Sequence, residues 1–171
     1  MAGTFSGTKP KAFNRHFFIN IGTAAAPSWA DLKYGISSRG VDVSEDTEEY
    51  FYMSERGTSD VESSSQTITR TFSGNRFLGD PAQDSIFIDR MYSLDNRQVE
   101  FMEYYDNAPT SWADKGNGYK GLANIQISDD GGGDAGSRES IEFSLLYAGR
   151  PTRGTVTIAA DTGVPTFEGL T

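Results

Sequence analysis

The sequence predicts a mainly β member of the α+β class: an antiparallel sandwich or partial barrel flanked by one α-helix. Two observations carry this. Runs of five to eight residues rich in β-branched and aromatic side chains recur along the 171 residues, separated by clusters of Gly, Pro, Asn and Asp. A single helix signature stands among them: Asp80 as N-cap, Pro81 at the first helical position and Gln83 placed to complete a capping box. The length fits one domain, and no internal repeat is present.

The elements follow in order. Residues 1–12 hold Thr, Ser, Gly, Lys and Pro with little apolar material and read as a flexible arm before a domain spanning 13–160. Arg15 to Ile21, with His16-Phe17-Phe18-Ile19-Asn20 at its centre, is a strand closed by Gly22. Trp29, Leu32 and Tyr34 fall in a connecting segment, and a strand resumes from Ile36 to Val43 with a bulge or bend expected at Gly40. Residues 44–65 carry Glu45, Asp46, Glu48, Glu49, Glu55, Asp60 and Glu62 against Arg56 alone, so a long acidic loop or open hairpin is expected. Tyr50-Phe51-Tyr52-Met53 in its middle is too apolar to stay in water. If that run is extended, two of the four can cover their own subunit. Thr67 to Phe72 alternates, with Ile68 and Phe72 on one face and Thr67, Thr69 and Thr71 on the other. After Asp80, Ala82, Ile86, Phe87, Met91 and Leu94 recur at helical spacing up to a turn at Asp95-Asn96. Strands are expected at Gln98 to Tyr105, Leu122 to Ser128, Ser140 to Tyr147 and Thr155 to Ala160, and residues 161–171 read as a C-terminal tail.

Composition excludes several classes. Cys is absent, which removes disulfides, thiolate chemistry and Cys-based metal sites. A formal charge of -9 is the wrong sign for gripping a phosphate backbone. No apolar run is long enough to span a bilayer, and Met1-Ala2-Gly3-Thr4-Phe5-Ser6 lacks the apolar core of a secretory signal, so no membrane association and an unexported product are expected. Gly131 to Gly136 matches the spacing of a dinucleotide fingerprint, but a strand follows it instead of a helix, so it reads as a turn. Asp129, Asp130 and Asp134 lack the alternate-position ligands of a calcium loop. His16, the only histidine, has no nucleophile motif beside it, and no enzymatic activity or cofactor is expected. What remains is a pattern of polar strand faces. Ala123, Ile125 and Ile127 point inward against Asn124, Gln126 and Ser128, and Ile141, Phe143, Leu145 and Tyr147 point inward against Glu142 and Ser144. Such faces suit either a water-filled channel or the outside of a sandwich.

From Phe18-Ile19-Asn20-Ile21-Gly22-Thr23 through Pro27-Ser28-Trp29-Ala30 to Gly35-Ile36-Ser37-Ser38, the chain resembles the major tail (tail tube) proteins of long, flexible-tailed bacteriophages. Glu48-Glu49-Tyr50-Phe51, Gly79-Asp80-Pro81, Ala148-Gly149-Arg150-Pro151 and Gly154-Thr155-Val156-Thr157-Ile158 extend the likeness over most of residues 13–158. The resemblance implies a structural virion protein with no catalytic residues. Six subunits would close a ring, their strands joining one continuous β-barrel, and rings would stack into a tube. The implied partners are further copies of the chain, a tape measure protein and a tail terminator. DNA would cross the lumen without specific binding, and the product would sit in the virion tail after assembly in the host bacterial cytoplasm. On this reading the polar residues Asp42, Thr67, Thr69, Thr71, Asn124, Gln126, Ser128, Glu142 and Ser144 are expected to line the lumen. Tyr50, Phe51, Tyr52, Met53, Glu55 and Arg56 are expected to contact the next ring. The alternative is a carbohydrate-binding or adhesion sandwich of a tail tip, stacking sugars on Trp29, Trp112, Tyr104 and Tyr105.

Overall fold

The computed structural model describes residues 9–53 and 58–170. The first eight residues of the expected arm, and Glu55 and Arg56 of the expected inter-ring set, lie outside this range. Among the described residues the strands are β1 (Arg15–Asn20), β2 (Trp29–Asp31), β3 (Ile36–Phe51), β4 (Ser59–Asn75), β5 (Gln98–Tyr105), β6 (Gly118–Gly132), β7 (Ser140–Tyr147), β8 (Thr152–Ile158) and β9 (Pro165–Gly169). They form one antiparallel sheet in the order β2-β1-β5-β6-β7-β4-β3, with β8 joined to β6 and β9 to β8. The sheet curls until β1 meets β4 across its concave side. Phe17 and Phe72 pack edge to face there at 5.1 Å, although their strands do not pair and the curl stays open.

Strand alternation fills this concave side. Phe17 and Ile19, Phe72, Val99 and Phe101, Ala123 and Ile125, and Ile141, Phe143 and Leu145 all point into one core. Ala82, Ile86 and Phe87 plug its end, with Phe87 edge to face against Phe143 at 5.9 Å. Each such large apolar side chain contributes about 1.5–3 kcal/mol by leaving water. A second, smaller core explains why β1 is apolar on both faces. Phe18, Met102 and Tyr104 point to the convex side and are covered by Val156, Ile158 and Phe167 of the β8–β9 hairpin.

Several expectations are corrected. Trp29–Asp31 is a strand and not a connection: it pairs with β1, Ala30 opposite Ile19. Gly40 is regularly paired with Thr71, and the irregularity falls between Ile36 and Ser38 instead. There Cβ atoms on Gly35 and Gly74 would clash with backbone oxygens at 2.2 and 1.9 Å, so the chains cross too closely for any side chain. Of the two readings of residues 44–65, loop and hairpin, the described part is a hairpin: pairing runs from Ser44 opposite Thr67 out to Phe51 opposite Ser59. The helix is far shorter than its apolar period. α1 (Pro81–Asp84) passes into a π-helical turn, Ser85–Asp89, and Leu94 is 82% exposed. Its capping box is half formed. Asp80 accepts from the Gln83 amide at 2.9 Å, but the Gln83 side chain donates to the Tyr34 carbonyl at 2.7 Å and accepts from the Phe77 amide at 2.7 Å. β6 begins four residues before the expected Leu122, β8 spans Thr152–Ile158 instead of 155–160, and the expected tail contains β9. No helix among the described residues is long and apolar enough to cross a membrane.

Candidate assembly surfaces

Residues directly opposite one another in antiparallel strands project to the same side of the sheet. The register therefore builds rows across four strands. Asp42, Thr69, Leu146 and Asn124 form one row, and Gly40, Thr71, Ser144 and Gln126 the next. Ser38, Ser73, Glu142 and Asp129 form a third, and Thr67 joins the face opposite Ser44. All lie on the convex side, the reverse of Phe72, Phe143 and Ile125. Eight of the nine polar residues expected at a lumen thus share one sheet face in register.

Two details depart from the sequence reading. Ser144 is only 9% exposed, because it lies between β4 and β6 in mid-sheet and shares a hydrogen bond of 3.1 Å with Thr71. Ser128 occupies a bulge, since Ile127 pairs with Phe143 and Asp129 with Glu142. That extra residue turns Asp129 onto the polar face, where simple alternation from Gln126 would have placed Ser128. The signal that could have revealed it is the Gly131-Gly132-Gly133 run just beyond, since glycine favours irregular pairing. With Asp42, Asp129 and Glu142 and no Lys or Arg, the three rows carry only negative charge.

The edges of these four strands are both free. Among the described residues β3 pairs only with β4, leaving its outer edge open from Ile36 to Phe51. At the other end β5 follows β6 only as far as Asn124, with one further bond from the Ile125 amide to the Arg97 carbonyl. Among the described residues the side of β6 away from β7 is therefore unpaired from Gln126 to Gly132. Two open edges flanking one sheet are a template for joining copies.

The β3–β4 hairpin extends beyond the body. Every described residue from Val41 to Met53 and from Asp60 to Thr67 is exposed on the single chain. None of Tyr50, Phe51, Tyr52 and Met53 covers its own subunit, which corrects the expectation for two of them. Phe51 is 67% exposed and Met53 fully so. The extension is two-faced. Val41, Val43, Phe51 and Val61 continue the core side of the sheet, while Asp46, Glu48, Tyr50, Asp60 and Glu62 continue the polar side. The aromatic residues needed by the sugar-binding alternative are used otherwise. Trp29 and Tyr104 pack in the second core, and Trp112 meets Tyr105 edge to face at 6.1 Å.

No family model and no curated protein matches the chain by sequence. Solved structures do match by fold. The chain is similar to the subunit of the tail of an empty gene transfer agent particle, refined with C6 symmetry, at 13% identity and a TM-score of 0.62, over 85% of this chain and 98% of that one. It is similar to the SPP1 tail tube at 17% identity and a TM-score of 0.55, over 81% and 76%. A sheath/tube terminator of an extracellular contractile injection system matches at 16% identity and a TM-score of 0.51, over 85% and 96%. A curled antiparallel sheet, matched over 98% of the gene transfer agent subunit and 76% of the SPP1 subunit, gives this chain the fold of tail tube proteins of phage-like particles.

Proposed function

We propose that the chain is a non-enzymatic structural subunit that polymerises as stacked six-membered rings into a virion tail tube, the conduit for DNA ejection. The observation that carries this reading is the pair of free edges bounding β6-β7-β4-β3. The open edge of β3 in one copy is complementary to the open edge of β6 in the next. Six copies contributing four strands each give a barrel of about 24 strands at roughly 4.8 Å, hence a diameter of about 37 Å before strand tilt widens it. Its lining is the polar face bearing Asp42, Thr67, Thr69, Thr71, Asn124, Gln126, Glu142 and Ser144, together with Asp129, and with Ser128 at the bulge beside it. A wall without cations repels phosphate and lets DNA pass without sticking. The projecting hairpin with Tyr50, Phe51, Tyr52 and Met53 orders against the neighbouring ring, and Glu55 and Arg56 join that contact. A tape measure protein fills the lumen during assembly in the host cytoplasm, and a terminator caps the finished tube.

Negative-stain electron microscopy of the purified chain over a range of concentration and salt tests the reading. Six-fold rings or tubes are expected, favoured by salt that screens the charge of -9. A chain that stays monomeric at millimolar concentration in every salt overturns it.

A further inference from the structure

Resting on this tube reading, we propose that an arginine-lined groove on each subunit receives the acidic hairpin of a second copy. The groove opens where the curled sheet fails to close. It holds about 650 Å³ and is lined by Arg15, Arg70, Glu103, Tyr147 and Arg150 among others. Arg15 and Arg70 also border an adjoining hollow of about 220 Å³ that contains Arg39. Arg15, Arg39 and Arg70 crowd over the Phe17 ring, at 5.5, 5.4 and 5.9 Å from its centre.

This crowd has too few anions. Glu103, 3% exposed, is held by Arg15 at 2.7 Å, while its second oxygen is 3.5 Å from Arg70 and accepts no hydrogen bond. The Arg15 Nε is also buried without an acceptor. Arg150 is exposed and makes no ion pair among the described residues. Burial, and next the charge of Arg15, push the pKa of Arg39 down against the pull of Asp31. At Arg70 burial is outweighed by Glu103 with Tyr147 and Tyr105, and the pKa is raised, so the buried Glu103 carboxylate serves Arg70 and Arg15 and not Arg39. An acidic chain has thus concentrated uncompensated positive charge in one concave place.

The hairpin has the opposite imbalance. Glu48 lies directly across from Glu62, with Asp60 and Asp46 on the same face. Like charges directly opposite on paired strands destabilise the pair. The Tyr50 hydroxyl donates to Glu48 and the Ser65 hydroxyl to Asp46 at 2.7 Å, but among the described residues no Lys or Arg pairs with any of the four carboxylates. The hairpin cannot fill its own groove. It leaves from the rim, where Gln66 and Ile68 line the groove, and runs outward, so the nine steps from Asp42 to Phe51 span roughly 30 Å. A second copy can bring carboxylates to the guanidiniums and relieve both imbalances, and charge complementarity then sets which surfaces meet.

Two charge-reversed chains provide the test: Arg150→Glu, and Glu48→Lys combined with Glu62→Lys, which keeps a like-charged pair in the hairpin. All three sites are exposed, and circular dichroism checks that each variant is folded. Each variant alone should need at least tenfold more protein than wild type to form tubes. An equimolar mixture should assemble near the wild-type concentration, because each acidic hairpin then meets a basic groove and each basic hairpin a reversed one. Arg150→Gln, which removes charge without reversing it, should show an intermediate loss. Assembly of Arg150→Glu at the wild-type concentration, or a mixture no better than its components, overturns this proposal while leaving the tube reading standing. A wild-type chain that forms no rings overturns the tube reading and this proposal with it.

Discussion

Gln83 shows how one residue ties the helical segment to the root of the hairpin. It is 1% exposed, and its amide donates to the carbonyls of Tyr34 at 2.7 Å and Asn75 at 3.4 Å. Its carbonyl accepts from the Phe77 amide at 2.7 Å and from Arg76 at 3.2 Å. Replacing it by Leu keeps the bulk but leaves buried backbone groups without partners, so Gln83→Leu should lose about 1–3 kcal/mol in urea unfolding. A loss below half that range would mean that water reaches those groups. The sequence marked Gln83 as a helix-capping residue. Its actual partners come from the β2–β3 connection and the end of β4, contacts that spacing along the chain cannot show.

At the level of elements, the hairpin is an addition to the body and not part of its core. The residues of both cores lie outside 41–67, and the hairpin arms are held by their mutual pairing. Removing residues 47–63 and closing the arms with Asn-Gly, a two-residue turn suited to antiparallel strands, should leave a folded domain whose melting temperature lies within a few degrees of wild type. The same variant should form single rings or monomers but no long tubes by electron microscopy. Long tubes would remove the hairpin from the stacking contact, and loss of folding would make it part of the body. Local alternation made Thr67–Phe72 legible as a half-buried strand. The rest of the hairpin was less legible because Glu45, Thr47 and Glu49 share the side that carries Val41, Val43 and Phe51, so no unbroken apolar period marks it on the sequence.

For the whole molecule, the sign of the charge on the polar face is the feature that, on the proposed tube function, bears on passage of DNA. Glu142 is exposed at the centre of that face, in the row with Ser73 and Asp129. Glu142→Lys turns one anion per subunit into a cation, six per ring on the proposed symmetry, without touching the core. Rings should form normally while DNA release from virions slows, an effect that added salt should diminish. Unchanged release with intact tubes would place Glu142 outside the lumen.

The amino-acid sequence by itself determined the fold class, the strand cores at Gln98–Tyr105 and Ser140–Tyr147, the Asp80 cap and the polar or apolar side of each central strand. All of these depend on neighbours a few residues away, through period-two alternation and local hydrogen bonds. Tertiary structure alone decided that Trp29–Asp31 and Pro165–Gly169 are strands, since each is short and is held only by the partner it meets. It also ended the helix early: Leu94 keeps the period but finds no core to bury against. Long-range pairing, finally, assembled Asp42, Thr69, Asn124 and Glu142 onto one face and gathered Arg15, Arg39 and Arg70 at the open seam. Register across a sheet relates residues a hundred positions apart, and no period within one strand encodes it.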